Sequence, residues 1–454
     1  MMTRRKLWTT AILILTLGAS PISARQAALS LTEAAGRALE HNPDLALDAP
    51  AQAAARAEEK ASRAAYLPRL DFEQSLTGGN NPVYVFGTLL TQRRFGEANF
   101  ALGALNTPDP VKNLQTRFTA QQTIWDFGRT RRNSEAARLG VQSADQSHEE
   151  HIRKVLLDTC TVYFSVSLAR AAREAVRASL ASAQAIVGQA QARVSAGLAV
   201  EADLLRAQVH LAAVRQREID AQGQLEIARA TLNRIMGLPL DSVTGETAAL
   251  TEVSFPVPDE AALWAEQRNR RPEYQRMLAE VHRAEMEAGA RKANLFPVLG
   301  AFGSWEIDNP SLTRYGGNNW SAGVSFRWNL FAGGADAAGL EAARNRLEQS
   351  RRGLEALASA MALEVRKALI EVRTAAQQVE AMRAVESQSQ ESLRILQTRY
   401  EAGLATMTDL LTAETARVAA RTAFAEAVYR YRLSYAQLEY AAGTLTITSI
   451  SMKS

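Results

Sequence analysis

The chain has 454 residues, 47% hydrophobic and 22% charged, with 83 alanines against 6% aromatics, so it can bury a core and favours helix. With Arg4, Arg5 and Lys6 set aside in a removable leader, the remaining 49 Lys and Arg nearly balance 48 acids, and no nucleic-acid partner is implied. The single cysteine, Cys160, excludes an intrachain disulfide and a cysteine zinc cluster, and no uninterrupted apolar run approaches the roughly 20 residues of a spanning helix.

Residues 1–24 read as an export signal. Arg4, Arg5 and Lys6 form a positive start, Ala11 to Leu17 a short apolar core, and Ile22-Ser23-Ala24 a small-residue cleavage site. No cysteine follows the core, so no lipid attachment is expected there. None of the seven lysines follows a glycine, so the chain has no phosphate loop.

The mature chain repeats once. Asn42-Pro43-Asp44-Leu45 matches Arg271-Pro272-Glu273-Tyr274, and Tyr66-Leu67-Pro68 matches Leu295-Phe296-Pro297, both at an offset of 229. Trp125 pairs with Trp328 at 203. Glu135-Ala136-Ala137-Arg138 recurs as Glu341-Ala342-Ala343-Arg344, and Ala196-Gly197-Leu198-Ala199 as Ala402-Gly403-Leu404-Ala405, at 206. An offset held over about 100 residues marks two copies of one structural unit. Repeat 1 spans 25–240 and repeat 2 spans 263–443, with a periplasmic connector at 241–262 and a tail at 444–454. The falling offset places the extra residues of repeat 1 in a Gly/Asn/Pro-rich extracellular loop, 78–113.

Four segments alternate with period two, at about 69–77, 114–125, 297–308 and 320–330. In the last, Trp320, Ala322, Val324, Phe326, Trp328 and Leu330 share one face, opposite Ser321, Gly323, Ser325, Arg327 and Asn329. Nine to twelve residues suits a tilted outer-membrane strand. The intervals 128–195 and 334–402 are nearly free of Gly and Pro, and each could form a helix on the order of 100 Å long. Their apolar residues step by four and three, as in Ile152, Val155, Thr159, Val162 and Val166, or Met361, Val365, Ala368, Val372, Ala375, Val379 and Met382. Such a narrow stripe is a coiled-coil seam. Shorter helices at 42–66 with 200–237, and at 272–296 with 405–443, stacked end to end, match each long one. The expected fold is mostly α with a β-barrel part.

Four amphipathic strands cannot stand in a bilayer as an open sheet, because unpaired backbone groups in lipid cost several kcal/mol each. Sister chains must close the cylinder. Two chains would give a filled eight-stranded barrel and three a twelve-stranded one with a passage; a homotrimer is expected, with four copies left open by the strand count.

The duplicated Asn/Arg-Pro-Asp/Glu start, the Tyr/Phe-Pro approach to each first strand, Trp125-Asp126-Phe127-Gly128 and Trp328-Asn329-Leu330-Phe331 form one pattern. The tips Arg193-Val194-Ser195-Ala196-Gly197-Leu198 and Arg399-Tyr400-Glu401-Ala402-Gly403-Leu404 complete it. In these motifs the chain resembles the TolC family of outer-membrane efflux proteins. The resemblance implies a trimeric channel-tunnel in the outer membrane of a Gram-negative bacterium, with a periplasmic helical tunnel. It would receive substrates from an inner-membrane pump through a periplasmic adaptor. It also implies that the two tips dock adaptor hairpins; where relatives commonly carry Val-Gly-Leu, both copies here carry Ala-Gly-Leu. By the same resemblance Asp203 and Asp409 are candidates for a cation-binding ring at the closed end, and Thr412 stands where some relatives carry a second acid. Tyr400 matches a residue that ties the tips shut, and Ala405 stands where its usual arginine would be.

Read from the residues alone, Gly197 and Gly403 suit helix C-caps, and Thr406 with Asp409 a capping box. Trp125, Trp320 and Trp328 suit membrane-interface positions in contact with outer-membrane lipid. His148 and His151 offer a metal pair or a solvated helix face, of which the second is favoured, and Cys160 a packed thiol. The apolar run Val83–Leu90 either covers the barrel mouth or folds into it. No catalytic set, cofactor or metal is expected. The leading function is a passive exit duct. Competing readings are the outer component of a type I protein-secretion system and, in another class, a periplasmic coiled-coil spacer.

Overall fold

A computed structural model describes residues 28–256, 258, 263 and 270–452. The leader expected at 1–24 lies outside these residues, as do 257 and 259–262 of the connector.

Helix α1 (Leu31–His41) starts on a capping box in which Ser30 and Glu33 satisfy each other's backbone amides. Asn42 then turns the chain. Its Oδ1 accepts from the amides of Asp44 (2.8 Å) and Leu45 (3.2 Å), and its Nδ2 donates to the Ile235 carbonyl. That local turn competes with helix, so the continuous helix expected over 42–66 is instead a 3₁₀ turn (Leu45–Leu47), α2 (Asp48–Arg63) and a second 3₁₀ turn (Ala64–Tyr66). The repeat-2 counterpart of Asn42 is Arg271, whose Nη1 donates to the Ala441 carbonyl. Each pre-proline residue thus caps the last helix of its own repeat.

The strands form one antiparallel sheet in the order β1 (Arg69–Gly79), β2 (Val111–Trp125), β3 (Val298–Asn309), β4 (Gly317–Arg327). β1 runs two residues further than expected and β2 starts three earlier, because Gly79 and Gly78 pair with Val111 and Lys112. β4 ends at Arg327 rather than at 330. Its partner β3 begins at Val298, just after Pro297, and leaves Trp328, Asn329 and Leu330 beyond the ladder. The register puts Phe72, Phe118, Trp305 and Trp320 side by side on one face, and Glu73, Arg117, Glu306 and Asn319 on the other. β1 and β4 each have one neighbour.

The segment expected as an open loop, 78–113, carries structure of its own. Asn81 caps α3 (Pro82–Thr91), with proline at its first position, and a 3₁₀ turn (Glu97–Phe100) and α4 (Leu102–Asn106) follow. Gln92 is buried and donates to Lys112 O and Asn113 Oδ1, while Arg93 donates to Asn318. α3 therefore crosses the far end of the sheet from β2 to β4 and meets its polar face. Gly317 is required there, since a Cβ would fall 2.1 Å from the Thr91 carbonyl.

From the other end of the sheet run α5 (Arg129–Ser195, 67 residues) and, after α7 (Pro272–Ala293), α8 (Ala335–Glu401, 67 residues). Each turns back into a 35-residue helix, α6 (Glu201–Ile235) and α9 (Met407–Ala441). The seam read from spacing is the packing line: Val155, Thr159 and Val166 are buried in α5, and Met361, Val365, Ala368, Val372, Ala375 and Val379 in α8. α5 is also the one described helix apolar and long enough to cross a membrane by composition; its Leu156, Cys160, Tyr163 and Phe164 form the mid-height core with Leu232 and Met452. The connector packs into a second core on α8 and α9, where Phe255 lies among Val365, Leu369 and Val372 and is stacked on Tyr435 at 4.3 Å. The buried Arg432 donates to Thr251 and lies over Phe164.

Candidate functional site

The free ends of the rods are two helical tips built alike. In the first, Ala196 is the C-cap, Gly197 sits at φ +71°, and the Gly197 and Leu198 amides donate to Val194 and Arg193 carbonyls. In the second, Ala402, Gly403 (φ +75°) and Leu404 repeat this, with bonds to Tyr400 and Arg399 carbonyls. This paired pattern is a Schellman motif, and its left-handed residue is why glycine stands at both tips. The turn leaves Leu198 71% and Leu404 70% exposed.

The tips are tied to each other. Arg193 Nη1 donates to the Tyr400 carbonyl (3.0 Å) and approaches the Glu401 carbonyl (3.3 Å), and its guanidinium lies 5.1 Å from the centre of the Tyr400 ring. Arg193 thus caps the negative end of α8 and covers the ring with its cation. Tyr400 is buried among Leu204, Met407 and Leu410, and its hydroxyl has no hydrogen-bond partner among the described residues. Burial raises the phenol above its ordinary range; Asp203 adds to this and Arg193 opposes it. The cation over the ring comes from the other repeat, Arg193, and not from position 405, which is alanine. The sequence contained both residues, but nothing in it paired them across 207 positions.

Asp203 and Asp409 open α6 and α9. Asp409 Oδ2 accepts from the Thr406 amide (3.0 Å) and hydroxyl (2.7 Å), and the Asp409 amide donates back to Thr406 Oγ1, a complete capping box. The hydroxyl bond, then the amide bond, hold this exposed carboxyl below its ordinary value. Asp203 accepts from Arg206 one turn on, at 3.0 Å, and Val200 before it offers no side-chain cap. Thr412 is turned to its own helix, donating to the Thr408 carbonyl.

At the other end of the molecule the apolar face is exposed: Leu70, Phe72, Phe118, Val324 and Phe326 are all open to the surroundings. Trp320 (79% exposed) faces Trp305 across the ladder near the far end, and Trp125 (59%) ends β2 at the foot. Trp328 lies past β4, where its indole donates to the Leu295 carbonyl at 3.2 Å. From Trp320 to Trp328 the chain covers about 27 Å at strand rise, so the aromatics mark two levels either side of an apolar band. The polar face carries a network the sequence did not reveal. Buried Asp308 accepts from Asn113 (2.6 Å), Gln115 (3.1 Å) and Asn319 (3.1 Å).

His148 and His151 both turn to one buried carboxylate, Asp48, at 3.0 and 2.7 Å, and so latch α5 to α2. No group of three or more metal ligands occurs among the described residues. Cys160 is fully buried against Met452, and burial pushes its thiol up to about 12.

Comparison with known proteins places this arrangement. The profile of the outer membrane efflux protein family matches residues 34–238 and 263–444, one match per repeat. The alkaline protease secretion protein AprF of Pseudomonas aeruginosa is 24% identical over 92% of this chain and 85% of its own length. The outer membrane protein TolC of Escherichia coli is 24% identical over 95% and 86%. The outer membrane channel CmeC of Campylobacter jejuni superposes with a TM-score of 0.80 at 18% identity, over 93% of this chain and 87% of that one. Matched across both repeats, with the same channel-tunnel fold, the chain belongs to the outer membrane efflux protein family, an outer-membrane protein whose helices extend into the periplasm.

Proposed function

We propose that three copies of the chain join their sheets into one twelve-stranded barrel and form the exit duct of a tripartite efflux system. The observation that carries this reading is the sheet itself, apolar on one face and unpaired at β1 and β4. In hydrocarbon those edges need strands from other copies. Twelve strands, unlike eight, leave a passage, lined by the polar face. The long helices continue it as a tunnel, and the exposed leucines of the tips meet the hairpins of a periplasmic adaptor that links the duct to an inner-membrane pump. The docking surface is made by Arg193, Ala196, Gly197, Leu198, Arg399, Tyr400, Ala402, Gly403 and Leu404. Asp203 and Asp409 ring the narrow end and hold cations there. The duct is passive, and selectivity resides in the pump.

The likeness to AprF, named for alkaline protease secretion, supports a second reading in which the same duct passes an unfolded protein. Two measurements test the proposal. The mass of the detergent-solubilised protein should be three times that of the chain, and it should conduct ions in planar bilayers. A monomer without conductance overturns it. Loss of dye efflux in a deletion strain supports the first cargo, and loss of a secreted protease the second.

A further inference from the structure

We propose that the cleft at the foot of the sheet, between Tyr66, Trp125, Phe127, Arg131 and Arg132, binds the phosphate headgroup of an anionic phospholipid of the periplasmic leaflet. The inference rests on the outer-membrane placement of the sheet and not on the number of copies or on docking at the tips.

The cleft has a volume of about 510 Å³ and joins two surfaces of different character. Its upper wall belongs to the apolar face: Trp125 pairs with Leu299, which pairs with Phe326. Phe127 continues that wall, edge-on to Trp125 at 6.1 Å and stacked on Phe296 at 4.8 Å. The long helices leave from this end, so it faces the periplasm, at the depth where headgroups lie. The lower wall is cationic. Arg132 is fixed by donation from Nη1 to the Phe127 carbonyl at 2.8 Å. Arg131 makes no hydrogen bond or ion pair among the described residues. The one carboxylate in the lining, Asp126, is buried and already engaged by the Thr130 amide (2.9 Å) and hydroxyl (2.6 Å), with Arg129 at 3.7 Å. One turn further, Glu135 is taken by Arg138. The Arg131 guanidinium and the remaining edge of Arg132, whose stem rests on Gly289 of α7, therefore line the cleft, and among the described residues neither is paired with a carboxylate. Guanidinium forks suit phosphate oxygens, and an aromatic wall beside them suits the glycerol and upper acyl region of the same molecule.

The internal repeat supplies a control. Gly128 and Gly334 are equivalent left-handed caps, yet the residues after them are Arg129-Thr130-Arg131-Arg132 in repeat 1 and Ala335-Asp336-Ala337-Ala338 in repeat 2. Both sequences start a 67-residue helix at the same turn. The arginine pair is therefore not needed to make the helix start or the strand-to-helix turn.

The full-length protein, delipidated in detergent and re-equilibrated with mixed phosphatidylglycerol and phosphatidylcholine, can be compared by native mass spectrometry with three variants. Wild type should retain phosphatidylglycerol in preference. R131A/R132A, which takes the residues of repeat 2, should lose that preference, by about fivefold per arginine at roughly 1 kcal/mol each. R131A alone, which removes no hydrogen bond or ion pair among the described residues, should show about half of that loss on a logarithmic scale. R366A/R373A, exposed cations far along α8, should behave as wild type. Equal retention by R131A/R132A and wild type overturns the proposal. So does displacement of the bound lipid by inorganic phosphate at matched concentration, which would make the cleft a plain anion site.

Discussion

At the scale of single residues the most informative pair is Arg193 with Tyr400. The Tyr400 ring is buried and its hydroxyl is unpartnered, so its value lies in the ring. Tyr400→Phe should change stability by less than about 0.5 kcal/mol, whereas Tyr400→Ala should cost about 3 kcal/mol by leaving a cavity. Arg193→Ala should speed amide exchange over residues 398–404 without unfolding the rods, and Arg193→Lys should restore it only in part, lacking the planar fork. Equal effects of Phe and Ala at position 400, read by thermal denaturation, would remove the ring from the account. Tyr400 was legible in the sequence through its tip motif. Its partner was not, because contact across repeats depends on how four helices pack, which local spacing does not encode. For the same reason Asp48 could not be assigned to His148 and His151, although the two imidazoles, three residues apart, were plain to see.

Elements were more legible than contacts. The four-three spacing of α5 and α8 marks their buried line because one narrow stripe is all that a rod in a single wall can bury. Strand alternation marked both faces of the sheet, but the strand ends shifted by two or three residues, since a ladder stops where its partner stops and not where alternation does. The segment 78–113 hid three short helical pieces behind glycine and asparagine, whose local turns look the same in a loop and at a helix cap. The face assignment gives a direct test on β4. Val324→Arg, on the apolar face, should destabilise the membrane-inserted protein by about 2–4 kcal/mol. Ser325→Arg, one residue on and facing the polar side, should be tolerated; refolding titrations into lipid vesicles distinguish them. Equal penalties would mean that the sheet does not present one face to hydrocarbon.

For the whole molecule, both ends must act together. If the tips receive an adaptor, Leu198→Asp with Leu404→Asp should abolish export while oligomeric mass and bilayer conductance stay as in wild type, because these side chains are mostly exposed. Unchanged export in that variant would detach the tips from docking. Loss of oligomeric mass would instead give the leucines a role in assembly. Composition and the repeat made the overall plan legible, and the cleft beneath Trp125 was not, since it forms only where a strand, a turn and a helix start converge.

Met452 is fully buried beside Cys160 at the middle of α5, and its carbonyl accepts from the Thr32 hydroxyl. The polypeptide is thus anchored at the waist of the rods, remote from the barrel and from the tips alike. Shortening that side chain, as in Met452→Ala, should therefore soften the middle of the wall first, seen as faster amide exchange over residues 156–164 with the strands and tips left as they were.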